Sequence, residues 1–365
     1  MSKKIYTLAG ILFATVLMGA SCVSFTGGNT SGPMGVFMSA DGGENWVQKN
    51  TLVTAQGAKS LSGAKVYKIF TDPSDPKALY MGTRGQGLYY SYDGGATWSA
   101  SSLNSLASMT EKFIYALTVD PKDKCNMYVS DGQHIYKTTD CQRSWQLLFT
   151  EERPTQRFVA LTADYSDSKV IYGAQLGGDI FRSKDGGASW RIVKNFNFEL
   201  RDLVIDRFNP KRLYAASYSQ GIYRSDDGGE IWTNISNGFD NFAGSYNFYR
   251  LALNPTDKDS LFWVSKYGIL RSNDAGTTWS DLKLLTPPGS VNIYGFAINP
   301  KNLSEIYYTG TILNDNNKNV RSTLYKSVDG GVNWVTRKLP TNTIPTDLLM
   351  SKDGSKNIYL GFTAL

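Results

Sequence analysis

The sequence predicts an all-β fold: a single seven-bladed β-propeller with four-stranded blades, closed by pairing N- and C-terminal strands in one blade. Three observations predict it. A segment close to S-x-D-G-G-x-x-W recurs seven times, and seven of the eight Trp residues end one of its copies. Each interval between copies, 42 to 55 residues, holds an apolar strand, a turn near D-P or N-P, a second strand, a short turn and a third strand; the Trp opens a fourth. The two chain ends carry complementary halves of one such unit. A count of 35 Gly against 12 Pro agrees with many tight turns between short strands.

At the N-terminus, Lys3 and Lys4 precede a largely apolar run from Ile5 to Ala20, short for a membrane span and typical of an export signal. Leu17-Met18-Gly19-Ala20-Ser21-Cys22 resembles a bacterial lipobox, with Gly19 where that motif usually has Leu. The resemblance implies that residues 1–21 are removed and that Cys22 carries diacylglycerol, anchoring an exported protein on a periplasmic or cell-surface membrane. The alternative is an ordinary cleaved signal that precedes a cysteine. Residues 22–33 are rich in Gly, Ser and Thr and read as a flexible tether, leaving 34–365 for the propeller.

Composition excludes other classes. With 22 Tyr, 17 Phe and 8 Trp there is ample apolar area for a core. Only the N-terminal run approaches membrane-span length, so the lipid anchor is the sole expected membrane contact. The net charge of +6, or +4 without residues 1–21, is spread along the chain without a basic cluster, which argues against nucleic acid.

The repeated segments contain Asp41, Asp93, Asp140, Asp185, Asp227, Asp274 and Asp329, and end at Trp46, Trp98, Trp145, Trp190, Trp232, Trp279 and Trp334. They resemble the Asp-box (BNR) repeat, which implies a propeller over the whole mature chain. An Asp before Gly-Gly accepts the amides of its own turn, Gly supplies the positive φ, and Trp anchors the next strand. One Asp per blade around a rim cannot converge on a substrate, so these residues are read as structural, with no metal site and no cofactor. The innermost strands end at Asp72, Asp120, Asp164, Asp206, Asn254, Asn299 and Ser351. Asp347–Met350 and Asn357–Thr363 supply two strands of the last blade, and Val36–Ser39 with Trp46–Lys49 the other two.

One box departs from the pattern, Asp140-Cys141-Gln142. Its Cys141 and Cys125, in the turn after the innermost strand of the same blade, belong on one propeller face. In an exported chain the pair reads as a disulfide worth about 3 kcal/mol by loop-closure entropy; the alternative is two buried thiols.

Ligands are expected on the opposite face, at the mouth of the axial channel. Aligned inner strands place Lys68, Asp202, Arg250 and Asp347 there, with Tyr67, Tyr249 and Tyr294 one residue earlier. Such mixed charge with Tyr suits a protein or glycan, unless these charges pair with one another. Asp202 and Asp347, three blades apart, are the pair a glycosidase would need. Glu151 and Glu152 read as solvated surface, and His134, the one histidine, as a plain strand residue. Two loops suit contact: the aromatic-rich 234–249 and the polar 310–322.

Asp-box propellers include sialidases, xyloglucanases, sortilin-type receptors and a photosystem II assembly-factor family. Sialidases carry an Arg-Ile-Pro-type motif that is absent from this sequence. Where xyloglucanases carry a catalytic Asp in Thr-Asp-x-Gly-Gly, the sequence reads Thr83-Arg84-Gly85-Gln86-Gly87, with Arg84 in its place. The resemblance therefore implies the fold without the catalyst. The expectation is a non-catalytic, lipid-anchored scaffold or assembly subunit with a protein partner, such as a membrane complex. A glycan binder or xyloglucanase-like hydrolase is the alternative.

Overall fold

The computed structural model describes residues 32–313, 320–353 and 355–364. The export signal, Cys22 and the tether up to residue 31 lie outside them. Short apolar runs closed by glycine turns form seven antiparallel sheets of four strands each, in sequential order. Blade I comprises Val66–Thr71, Leu79–Thr83, Leu88–Ser91 and Ser99–Ala100, from the axis outward. Blades II to VI begin with inner strands Ala116–Asp120, Phe158–Ala163, Leu200–Asp206, Phe248–Leu253 and Phe296–Asn299. In blade VII, Ile344–Met350 and Ile358–Thr363 are completed by Gly35–Ser39 and Val47–Lys49. Phe37 faces Leu360 and Val36 faces Gly361 across that seam. The expected two-plus-two closure is therefore the observed one, and it leaves no open end to the ring.

The second strand of each blade is covered on both faces by neighbouring blades, which is why it reads as a continuous apolar run. Leu79–Thr83, Ile171–Gln175 and Leu261–Ser265 are buried throughout. The inner-strand apolar series from Ile69 to Leu348 is likewise buried. One element was not expected: a hairpin of Thr51–Thr54 and Gly57–Ser60 joins blade VII to blade I. The Trp98 amide donates to the Thr51 carbonyl and the Val53 amide to the Trp98 carbonyl, both at 2.8 Å, fixing it beside the outermost strand of blade I.

In the boxes the Asp closes its own turn. Asp185 Oδ1 accepts from Ser183 Oγ at 2.8 Å and from the Ser189 amide at 2.9 Å; its Oδ2 accepts from Ser189 Oγ at 2.5 Å. These donors, the Ser189 hydroxyl foremost, hold the Asp185 carboxyl down at about 2. The Gly187 amide donates to Ser183 Oγ, so the Ser and the Asp together satisfy the turn. Three box Trp residues tie neighbouring blades: Trp98 Nε1 donates to the Lys49 carbonyl, Trp279 to Ile235 and Trp334 to Lys283, at 2.7 to 2.9 Å, whereas Trp190 and Trp232 donate within their own boxes.

The third box adopts the same turn without glycine. Cys141 and Gln142 have φ of 57° and 68°, in the left-handed region where Gly186 and Gly187 of the next box lie. Cys125 and Cys141 are joined in a disulfide, which holds this strained turn against the neighbouring one.

Two expectations about surface segments need correction. In the 234–249 loop, Phe239 and Phe248 are buried, and Phe239 packs 5.4 Å from the rings of both Trp263 and Trp279. These two aromatics are core, packed against Trp263, while Phe242, Tyr246 and Tyr249 stay half-buried. Glu151 is not solvated surface but 7% exposed. Arg153 Nε and Nη2 donate to it, as does Gln175 Nε2, while Arg153 Nη1 reaches Asp179. Glu152 is exposed as expected. In the 310–322 segment, strands Asn302–Leu313 and Val320–Ser327 form a long hairpin whose residues 314–319 lie outside the described ones.

Candidate functional site

The inner strands deliver the expected residues to the channel mouth on the face away from the boxes. There the structure builds an aromatic ledge from blades I to III. Tyr67 meets Phe113 edge-on at 4.9 Å, and Phe113 stacks on Tyr115 at 4.1 Å. Arg84, exposed after the second strand of blade I, lies over the Tyr67 and Phe113 rings at 5.2 and 5.8 Å. Arg157 lies over Tyr115 and donates from Nη1 to its hydroxyl at 3.0 Å. Among the described residues, neither arginine has a carboxylate within ion-pair distance. Burial pushes the Tyr67 phenol up; the Arg84 charge opposes this and the Asp202 charge adds to it. Phe113 and Arg157 were not anticipated, because they lie in loops before the aligned strand positions.

On the far side of the mouth Tyr249 and Tyr294 pack 5.8 Å apart, and Tyr249 donates to Asn292 Oδ1 at 2.7 Å. Burial raises both phenols, that of Tyr249 to about 12. Lys68 is half-buried, its Nζ 5.5 Å over the Phe70 ring.

The acidic pair is not brought together as a catalytic pair. Asp347 is 1% exposed, pairs with Arg250 and accepts the Ile69 amide at 2.8 Å. It thus ties blades V, VII and I, and the blade between Arg250 and Asp347 carries Gly295, which interposes no side chain. Asp347 and Arg250 therefore bind each other, the alternative that the sequence left open for these charges. Asp202 remains half-buried, accepting the adjacent Leu203 amide at 3.0 Å. A glycosidase mechanism needs two available carboxylates; this mouth offers one from that pair.

Along the axis lie cavities of about 410 and 260 Å3, which share Thr71, Tyr165 and Lys352. Both are lined by box-side turn residues such as Pro255 and Pro73, and the larger also touches Arg250 and the smaller Lys68. Among the described residues there is no cluster of three or more His, Cys, Asp or Glu able to hold a metal ion. No helix among them is long and apolar enough to cross a membrane. His134 sits at a strand start as expected, its Nδ1 2.9 Å from Asp131.

The family model described as Sortilin-Vps10 (sortilin, neurotensin receptor 3) matches residues 34–174 and 178–269. A xyloglucanase of a Paenibacillus species is 31% identical over 159 residues, 43% of this chain and 13% of that protein. The GH74 xyloglucanase of Xanthomonas campestris superposes with a TM-score of 0.65 at 17% identity, over 82% of this chain and 51% of the enzyme. YCF48, solved bound to D1 peptide, superposes with a TM-score of 0.59 at 16% identity, over 82% of this chain and 94% of that one. These structural likenesses establish a shared fold. The chain spans well under two thirds of the length of the xyloglucanases it matches.

Proposed function

Because the chain belongs to the Sortilin-Vps10 family, we propose that it is a non-catalytic, lipid-anchored extracytoplasmic propeller that binds a protein partner at its Tyr-rich channel mouth. The observation that carries this reading is the ledge of Tyr67, Phe113 and Tyr115 under Arg84 and Arg157. Rigid aromatic rings and arginines without carboxylate partners are the groups that dominate protein interfaces. YCF48, similar in fold over nearly its whole length, binds a peptide. The Cys125–Cys141 disulfide supports an oxidising, extracytoplasmic location, and Cys22 would supply the anchor. Tethering confines the partner search to the membrane surface.

The test is purification of the tagged chain from its native membranes in mild detergent, beside Arg84→Ala and Tyr67→Ala. The reading requires a stoichiometric protein with the unaltered chain that is lost or strongly reduced with both variants. A partner retained equally by both would move the interface elsewhere.

A second reading, glycan binding or hydrolysis, is favoured by the 31% identity to a xyloglucanase. It would use the same ledge as a sugar-stacking surface, with Asp202 as the available carboxylate. Xyloglucan turnover or retention on a xyloglucan column that disappears with Asp202→Ala or Tyr67→Ala would establish it.

A further inference from the structure

On the box-side mouth, the residue that follows the turn Asx or Ser of each inner strand points at the axis. In four blades it is proline, as at Pro73 and Pro255; in blades III, IV and VII it is Tyr165, Arg207 and Lys352. All seven positions line the two axial cavities. Two cations and a phenol therefore enter a ring that is otherwise rigid and uncharged.

We infer that Arg207, Lys352 and Tyr165 form an oxyanion site at this mouth, suited to the phosphate or sulfate group of a small molecule. The donors are largely uncommitted among the described residues. There Lys352 Nζ has a single long contact, 3.4 Å to the Asp72 carbonyl. Arg207 uses one N–H, on the Pro255 carbonyl at 3.0 Å. Tyr165 makes no hydrogen bond through its hydroxyl among the described residues, and neither cation has a carboxylate at ion-pair distance there.

Of the carboxylates near this mouth, Asp72 accepts the Ser74 and Asp75 amides and the Tyr80 hydroxyl, and Asp206 accepts the Phe208 amide with Arg212 3.7 Å away. Asp259 and Asp257 also line the larger cavity; Asp259 pairs with Arg212, and Asp257 lies beyond ion-pair distance of Arg207 and Lys352. Although more than a third of Lys352 is reachable by water, channel walls surround it. Burial and then the Arg207 charge lower its pKa, with Asp72 opposing. Two like charges that line one cavity without a carboxylate at ion-pair distance among the described residues are stabilised by an anion between them, and a planar guanidinium with an ammonium matches a tetrahedral oxyanion. The larger cavity, about 410 Å3, is within the roughly 300–1,000 Å3 of small-molecule sites. It accommodates an organic group beyond the oxyanion.

The test is calorimetric titration of the full mature chain with inorganic phosphate and, separately, with glycerol 3-phosphate. Saturable binding is expected, weakened at least tenfold in Arg207→Gln and in Lys352→Gln, retained in Lys352→Arg and unchanged in Lys59→Gln on the exposed hairpin. Thermal unfolding of each variant, run alongside, verifies that it is folded. Equal affinity for the two ligands would identify a site for the free ion, and tighter binding of the ester a site for a small organic phosphate. No saturable binding of either, or binding unaltered in the folded Arg207→Gln/Lys352→Gln double variant, overturns the inference.

Discussion

Arg182 Nη1 of blade III donates to the carbonyl oxygen of Gly228, in the Asp box of blade IV, at 2.7 Å. Tyr172 donates to the same oxygen at 3.1 Å. The pattern repeats around the ring: Lys137 and Tyr128 meet the Gly186 carbonyl, Arg224 meets that of Ala275, and Tyr359 closes the circle on Gly94. A box thus does two jobs. Its side chains close its own turn, and its backbone carbonyl receives the preceding blade.

Arg182 is buried and also pairs with Glu230 at 2.6 Å. Truncating it removes charged hydrogen bonds and leaves the Gly228 carbonyl with the Tyr172 hydroxyl alone. Arg182→Ala should lower unfolding stability by about 2–3 kcal/mol, read from urea denaturation at constant m. A loss under about 0.5 kcal/mol, typical of a surface change, would show that the latch contributes nothing.

Arg250 and Asp347 form the second inter-blade tie, and here removing one partner strands the other. Asp347→Ala should cost about 3–5 kcal/mol, while pairing it with Arg250→Met should restore a substantial part. A double variant no more stable than Asp347→Ala would place the role of Asp347 in its bond from the Ile69 amide.

The disulfide and the strained third box are linked. Cys125→Ser/Cys141→Ser should lose about 3 kcal/mol, the loop-closure value. Gln142→Gly combined with Cys141→Gly and Cys125→Ser should recover part of it by relieving two left-handed non-glycine residues. Thermal unfolding of the three proteins decides; a further loss with glycine would mean that Gln142 packing outweighs the backbone strain.

Acid stability follows from the boxes. Hydrogen bonds from their own turns, from Ser144, Ser189 and Asn333 foremost, hold Asp140, Asp185 and Asp329 at about 2 against an ordinary 3.8. Arg153 holds Glu151 at about 2 against 4.5. Depressed carboxyls stabilise the fold fully above their unfolded values and lose that contribution as pH falls through the folded ones. Stability should hold down to about pH 4.5 and fall between about 4.5 and 2. Asp185→Asn should flatten that fall, measured as urea midpoint against pH.

The legible part of this protein was whatever one repeat encodes locally. Positive-φ glycines, Asp acceptors within their own turns and short alternating strands act over a few residues, so blade number and closure were readable. The cysteine pair was readable too, because Cys125 and Cys141 lie in adjacent turns of one blade. The ledge was half readable: Tyr67 and Arg84 are in the repeat register, whereas Phe113 and Arg157 stand in loops of irregular length. In 234–249, Phe239 and Phe248 look exposed by composition and are buried, because their partner Trp263 lies in the next blade.

By itself the sequence determined the architecture: seven boxes, four strands between them, and half-blades at the two ends that complete each other. Only the tertiary structure decided which charges are free. Ring closure brings Arg250 to Asp347 across 97 residues and leaves Arg84, Arg207 and Lys352 with no carboxylate at ion-pair distance among the described residues. Turns and strands are set by short-range backbone sterics within each repeat. Pairing across an axis depends on where seven separately specified blades come to rest, and no single repeat contains that distance.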